Sequence, residues 1–244
     1  MKKAFITGAN KGIGFESAKQ LLQQGFYVYI GSRNFSNGLQ AIEKLQTEGF
    51  TNVECIQIDV TDENSVKNAR TELGKKTEIL DVLINNAGIN GIPQNTTEAT
   101  ADNFKKNYET NLFGAVRVTT AFIDLLKKSD EPRIVNVSSS MGSLTFHNDS
   151  TYHSYQHKSF AAYSSSKSAL NMYTIHLAYE LSNTAFKVNA VCPGYTKTDQ
   201  TGFTGGDIQD AGARIVKYAL LDQNGVTGKF ISEELKTQTG EIPW

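Results

Sequence analysis

The sequence predicts an α/β protein in one domain, residues 1–244: a doubly wound parallel sheet of about seven strands with helices on both faces. Three observations carry that expectation. Short β-branched runs alternate with longer helical patterns from one end of the chain to the other. A glycine-rich turn joins the first such run to the first helical pattern. No Pro/Gly/Ser-rich linker, charge run or repeat divides the 244 residues, a length near the upper limit of a single core. Consecutive parallel strands need crossover helices, and a sheet crossed on both sides is covered on both faces.

Each element is bounded by a recognisable break. A strand at 3–6 ends at Thr7-Gly8, and a helix near 13–24 follows it. The second strand, 27–30, ends at Gly31-Ser32-Arg33-Asn34 ahead of a helix near 38–48. The third, 53–58, ends at Asp59-Val60 and leads to a helix near 63–74. The fourth, 82–84, ends at Asn85-Asn86-Ala87-Gly88, and the helix near 101–127 that follows is interrupted by Asn111. The fifth, 133–137, runs into Ser138-Ser139-Ser140-Met141-Gly142 before a helix near 161–182. The sixth, 188–191, ends at Cys192-Pro193-Gly194, and a helix near 207–221 and a last strand at 229–231 complete the rhythm. Ligands of such sheets sit at the carboxyl ends of the strands, where these breaks gather.

Composition narrows the partners. A formal charge of −1, from 24 basic and 25 acidic residues, makes no field for a phosphate backbone, and no Lys/Arg cluster forms a nucleic-acid footprint. The apolar run after Met1-Lys2-Lys3 breaks at Thr7, too short for a signal peptide or membrane span, so a cytoplasmic protein is expected. Cys55 and Cys192 fall in apolar, strand-like runs and read as buried reduced thiols.

Two local patterns carry chemistry. Thr7-Gly8-Ala9-Asn10-Lys11-Gly12-Ile13-Gly14 follows the first strand and opens the first helix. Small residues there let the backbone approach a pyrophosphate, and the helix N-terminus supplies donors and positive potential. Its spacing departs from G-x-G-x-x-G. Farther on, Tyr163 and Lys167 stand four apart on one helix face, which sets an ammonium beside a phenol and favours its ionised form. Tyr and Lys at this spacing also occur on ordinary solvated helices.

The chain resembles the classical branch of the short-chain dehydrogenase/reductase family, most closely its NADPH-dependent carbonyl reductases. The resemblance rests on the Thr7 to Gly14 loop, Asn85-Asn86-Ala87-Gly88, Asn111-Leu112-Phe113-Gly114, Asn136-Val137-Ser138-Ser139, Tyr163-Ser164-Ser165-Ser166-Lys167 and Cys192-Pro193-Gly194, all in the family's order. It implies a Rossmann-type fold and an oxidoreductase that reduces a ketone or aldehyde, or runs the reverse reaction. By that resemblance Tyr163 is the general acid. Ser139, three residues before Gly142, supplies the second hydrogen bond, and Lys167 lowers the phenol's pKa and binds the nicotinamide ribose. Asn111 reads from spacing as a buried structural asparagine; the resemblance implies instead that it bends its helix and holds a water joined to Lys167. Ser138 and Ser140 read as loop structure.

The same resemblance distributes the cofactor contacts. Gly8, Asn10, Lys11, Gly12, Ile13 and Gly14 form the phosphate loop, and Asp59 and Val60 hold the adenine. Asn86, Ala87 and Gly88 line the adenosine side, while Pro193, Gly194 and Thr198 border the nicotinamide, with Tyr163 and Lys167 on its ribose. The end of the second strand selects NADP(H): no acid lies between Val28 and Ile42, where an NAD site places one, and Arg33, with Lys11, offers cations for a 2′-phosphate. Either charge alone also reads as ordinary solvated surface.

One departure stands out. Ser139 and Tyr163 are 24 positions apart, about twice the usual separation in the family, and the extra residues fall near 144–162. This stretch carries Tyr152, Tyr155 and Phe160, and also His147, His153 and His157, whose spacings match no closed zinc site; no metal is expected. The insertion reads as a lid, or as a cover for the outer surface of the helix carrying Lys167, where Ala169, Met172 and Tyr179 surround the Leu170, Tyr173, Leu177, Leu181 stripe. A monomer is the expectation, a homodimer the alternative. The substrate wall is expected from 89–95, 144–162 and 195–206, and a cofactor-binding sensor without turnover is the competing function.

Overall fold

The computed structural model describes residues 1–152, 157–233 and 240–244; His153 and Tyr155 lie outside them. Seven strands form one parallel sheet: β1 Lys3–Thr7, β2 Tyr27–Ser32, β3 Val53–Gln57, β4 Val82–Asn85, β5 Arg133–Val137, β6 Lys187–Val191 and β7 Phe230–Ile231. The order across the sheet is β3-β2-β1-β4-β5-β6-β7. The chain therefore winds outward from β1 to β3, returns to the far side of β1 as β4, and winds outward again. That reversal opens a crevice beyond the carboxyl ends of β1 and β4.

Eight α-helices among the described residues cover the sheet: α1 Gly12–Gln23, α2 Phe35–Thr47, α3 Glu63–Lys76, α4 Ala101–Tyr108, α5 Gly114–Leu126, α6 Leu144–Asn148, α7 Ala161–Glu180 and α8 Ile208–Ala219. Side chains of a strand alternate between faces, so a sheet covered twice needs apolar residues at every position. In β1, Ala4 and Ile6 join α1, α2 and α8 on one face, while Phe5 joins α3, α5 and α7 on the other. Phe5 stacks on Phe122 of α5 with ring centroids 4.8 Å apart. A fully buried side chain of this size contributes about 1.5–3 kcal/mol, so this pair is a principal anchor of α5.

Asn34, Asp62, Thr100 and Asp207 accept backbone N–H bonds at the starts of α2, α3, α4 and α8. The Asn34 cap explains why α2 begins at Phe35, three residues before the helix expected from the apolar pattern. The expected helix at 101–127 is three pieces. A π-helical turn, Glu109–Phe113, separates α4 from α5, and Asn111 sits inside it. At the base of the sheet Arg133 is buried, its Nε donating to the Leu221 carbonyl (2.7 Å) and its Nη1 to those of Pro132 (2.9 Å) and Ala185 (3.0 Å). It ties the ends of α8 and the 181–186 connection to β5, far from the crevice.

Candidate active site

The crevice is floored by the glycine loop. Thr7 Oγ1 accepts the amides of Asn86 and Ala87, both at 3.0 Å, and Asn86 Nδ2 donates back to the carbonyls of Thr7 (2.8 Å) and Gly8 (3.1 Å). These bonds lock the ends of β1 and β4 together. They also fix the glycines: a Cβ on Gly14 would lie 2.4 Å from Asn86 Nδ2, and one on Gly8, at φ +64°, would lie 3.0 Å from Ala87 Cα. Gly12 needs its positive φ of 61°. Asn10 and Ile13 are half-buried between them. Helix α1 has no side-chain cap, unlike α2, α3, α4 and α8, and no acid in its first turn, so its first amides face the crevice unclaimed by a side chain. This loop fits a pyrophosphate: a cradle that a single methyl would fill, at a positive helix end.

At the end of β2, Ser32 is buried and donates to the Asn34 carbonyl (2.8 Å), while Arg33 is exposed. Lys11 is exposed too, but its ammonium is paired with Asp199 from the opposite bank. Asp59 is engaged by its own turn, accepting the amide (3.0 Å) and hydroxyl (2.7 Å) of Thr61. Val60 is buried against Gly114. Across the crevice, Pro193 is held through its carbonyl by Arg214 Nη1 (2.7 Å), Gly194 has φ +91°, and the Thr198 methyl lies 3.8 Å from where a Gly12 Cβ would sit.

The four expected catalytic residues converge at the carboxyl ends of β4 and β5. Lys167 Nζ donates to the Val137 carbonyl (2.8 Å) and lies 5.8 Å from the centre of the Tyr163 ring. Ser139 lies close enough to the Tyr163 hydroxyl to oppose the rise in its pKa. A Cβ on Gly142 would lie 3.0 Å from the Lys167 carbonyl carbon, so the turn after β5 presses on α7 and brings Ser139 to the phenol. Asn111 Oδ1 accepts the Ile89 amide (2.8 Å), and its Nδ2 donates to the Ile89 carbonyl and to Ser166 Oγ, both at 2.9 Å. Ser166 in turn donates to the Tyr163 carbonyl (2.7 Å). Gly88 is the wall shared by Asn111 and Lys167, with a Cβ there 3.3 Å from Asn111 Oδ1 and 3.6 Å from Lys167 Nζ. Ser138 is structural, donating to Asn171 Oδ1 (2.6 Å).

Burial pushes the Tyr163 phenol up to about 12, a rise that its neighbour Ser139 opposes. The ammonium is committed to the Val137 carbonyl, and burial pulls it down to about 8. Asn111 Nδ2 uses both of its protons, on the Ile89 carbonyl and Ser166, which ties the π-helical turn to the end of β4 and to α7. Ser166, three positions after Tyr163, was not singled out as a site residue, and Asp199 and Gln200 fell within the expected wall 195–206 without a role of their own.

Residues 2–207 match the family model described as short chain dehydrogenase. The chain belongs to the short-chain dehydrogenase family. Among curated relatives it is similar to (+)-neomenthol dehydrogenase of Arabidopsis thaliana, 36% identical over 95% of this chain and 96% of that protein. It is also similar to salutaridine reductase of Papaver bracteatum, 33% identical over 94% of each chain. Among solved structures, salutaridine reductase of Papaver somniferum aligns with a TM-score of 0.82 at 31% identity, covering 94% of this chain and 99% of that one. NADPH-bound carbonyl reductase from chicken fatty liver aligns at 0.85 and 27%, covering 100% and 99%.

In this short-chain dehydrogenase the described part of the insertion packs on the C-terminal end of the chain. Phe146 of α6 packs against the cluster of Cys192, Phe230 and Ile242 and stacks on Tyr152, while Thr145 bonds the Trp244 carbonyl through its amide (3.2 Å) and hydroxyl (3.0 Å). Its described residues therefore lie toward the β7 side. On α7, Met172 and Tyr179 stay 56% and 80% exposed. Among the described residues no group of three His, Cys, Asp or Glu could hold a metal, and no helix is long and apolar enough to cross a membrane.

Proposed function

We propose that the protein is an NADP(H)-dependent oxidoreductase that reduces a ketone or aldehyde to an alcohol, or runs the reverse, with Tyr163 as the general acid. The observation that carries the reading is the convergence of Ser139, Tyr163 and Lys167 at the edge of a crevice whose floor is an uncapped helix end. The nicotinamide, when bound, supplies or accepts the hydride. Reduction places negative charge on the substrate oxygen, and a neutral phenol is the form that donates to it. With its pKa near 12, Tyr163 is protonated throughout the neutral range, and Ser139 stabilises the phenolate left behind. Lys167, with its pKa near 8, is mostly charged at neutrality and supplies the positive potential that makes proton loss from Tyr163 easier as its partners rearrange.

NADP(H) rather than NAD(H) is supported by Arg33, by the missing acid after β2, and by NADP-bound structures of similar proteins such as the chicken enzyme. The pepper (+)-neomenthol dehydrogenase aligns over 297 positions, more than this chain possesses, so that relative carries segments absent here. The reading therefore commits to a small-molecule carbonyl and not to either relative's named substrate. A carbonyl panel assayed with NADPH and NADH tests it. Turnover with NADPH preferred is expected; tight cofactor binding with no turnover on any ketone or aldehyde would favour a sensor and overturn the reading.

A further inference from the structure

The loop 195–206 is a compact body of its own. Its neck is closed by Gly206 N donating to the Tyr195 carbonyl (2.7 Å) and Lys197 N to the Gly206 carbonyl (3.0 Å). Gly205, at φ +116°, has no room for a Cβ, which would lie 2.5 Å from the Tyr195 carbonyl oxygen. Inside, the Thr201 hydroxyl donates to the Thr196 carbonyl (2.6 Å) and accepts the Thr198 amide (3.1 Å), and Tyr195 and Thr204 share a hydroxyl bond of 2.6 Å. With its ends close and its interior bonded, the loop is a compact surface unit.

Its tip is fastened to the opposite bank by side chains. Gln200 Nε2 donates to the Gly88 carbonyl (2.8 Å), Asn90 Nδ2 donates to the Gln200 carbonyl (3.3 Å), and Asp199 pairs with Lys11. The first two contacts involve only neutral groups and stand over the catalytic end. The third joins the loop to Lys11, one of the two cations proposed for the 2′-phosphate. One ammonium thus faces two anionic claimants, a carboxylate of this chain and a phosphate of the cofactor.

We propose that Asp199 is a cofactor-specificity-determining residue: it holds the Lys11 ammonium across the mouth of the crevice, and a 2′-phosphate takes that ammonium from it. Binding of the phosphorylated cofactor thereby unfastens one edge of the loop, and departure of that cofactor restores the ion pair. A cofactor without the phosphate leaves the pair intact. The inference rests on the NADP(H) reading above. Because both side chains are exposed, at 64% and 43%, the competition is modest, worth about 2- to 5-fold in affinity.

Fluorescence titration of NADPH and NADH into the full chain and into Asp199→Asn, Lys11→Ala and the double variant tests this, with Asp199→Ala as a second probe and circular dichroism to verify folding. Asp199→Asn is expected to tighten NADPH about 2- to 5-fold and leave NADH unchanged, with no effect once Lys11 is Ala. An equal gain for both cofactors, no gain, or the same gain without Lys11 overturns the inference. If Lys11→Ala weakens NADPH while both Asp199 variants bind like the parent, only Asp199 is misassigned. If Lys11→Ala leaves the NADPH/NADH ratio unchanged, Lys11 does not meet the phosphate and the competition fails at its first step.

Discussion

Replacing Lys167 by Met separates what the ammonium does for chemistry from what it does to stability. Lys167 is buried, and burial lowers its pKa from 10.5 to about 8. At about 1.4 kcal/mol per unit, holding the charge inside the fold costs about 3 kcal/mol at neutral pH. Lys167→Met removes that cost but also the bond to the Val137 carbonyl, a loss of about 1–3 kcal/mol for a buried acceptor left unpaired. The two terms nearly offset each other, so the variant is expected within about 2 kcal/mol of the parent at pH 7 while losing most of its turnover.

The pH dependence is the sharper readout. Because the folded pKa lies below the unfolded one, the unfolded chain binds more protons between about pH 8 and 10.5, and the parent's stability rises with pH across that window. The cost is fully present below pH 8. Urea denaturation of parent and variant at pH 7 and pH 10 cancels every other titration common to both. The parent should gain roughly 2–3 kcal/mol on the variant between those values. A difference that stays constant with pH would show that Lys167 is not charged at a penalty in the folded protein, and the reasoning from burial would be wrong.

Three further outcomes follow from the geometry. Tyr163→Phe keeps the ring but removes the transferable proton, so turnover should fall about 10²- to 10⁴-fold in a steady-state assay with NADPH binding retained; Ser139→Ala should also cut turnover, and Ser138→Ala, whose hydroxyl faces Asn171, much less. Gly14→Ala drives a methyl to within 2.4 Å of Asn86 Nδ2, and should cost about 1–3 kcal/mol by chemical denaturation and weaken cofactor binding. Arg133→Leu leaves the Leu221 and Ala185 carbonyls without their donor, while Pro132 keeps the Lys187 amide; at about 1–3 kcal/mol each it should lower the melting temperature sharply, and any folded protein obtained should keep its kcat.

The fold was legible because the strands are mostly apolar on both faces and are closed by short polar, glycine or proline breaks, so period and punctuation agree. Most site residues were legible one at a time because they stand at such breaks, and Tyr163 and Lys167 by their helical spacing. What escaped was the state of each side chain. The spacing of Tyr163 and Lys167 states that the two can meet. It does not state that Val137 offers a carbonyl 2.8 Å from the ammonium and so holds it over the ring face. Likewise, Asn111 interrupts an apolar stripe visibly, but its partners, Ile89 and Ser166, lie 22 and 55 positions away.

The π-helical turn ties these points together. An ordinary α-helix through 101–126 would carry Asn111 past the crevice on its own ladder, whereas the wider turn at Glu109–Phe113 leaves room for the side chain to fold toward Ile89. The turn is held by what it reaches: Asn111 bonds Ser166, Ser166 bonds the Tyr163 carbonyl, and Gly88 has no Cβ to obstruct Asn111 or Lys167. A deviation from helix geometry is thus kept by tertiary bonds to α7 and the end of β4, the same elements that position the phenol and ammonium. Local propensity along 101–126 contains no trace of those partners, and that is why a pattern that is helical throughout marks the interruption at Asn111 without revealing its form.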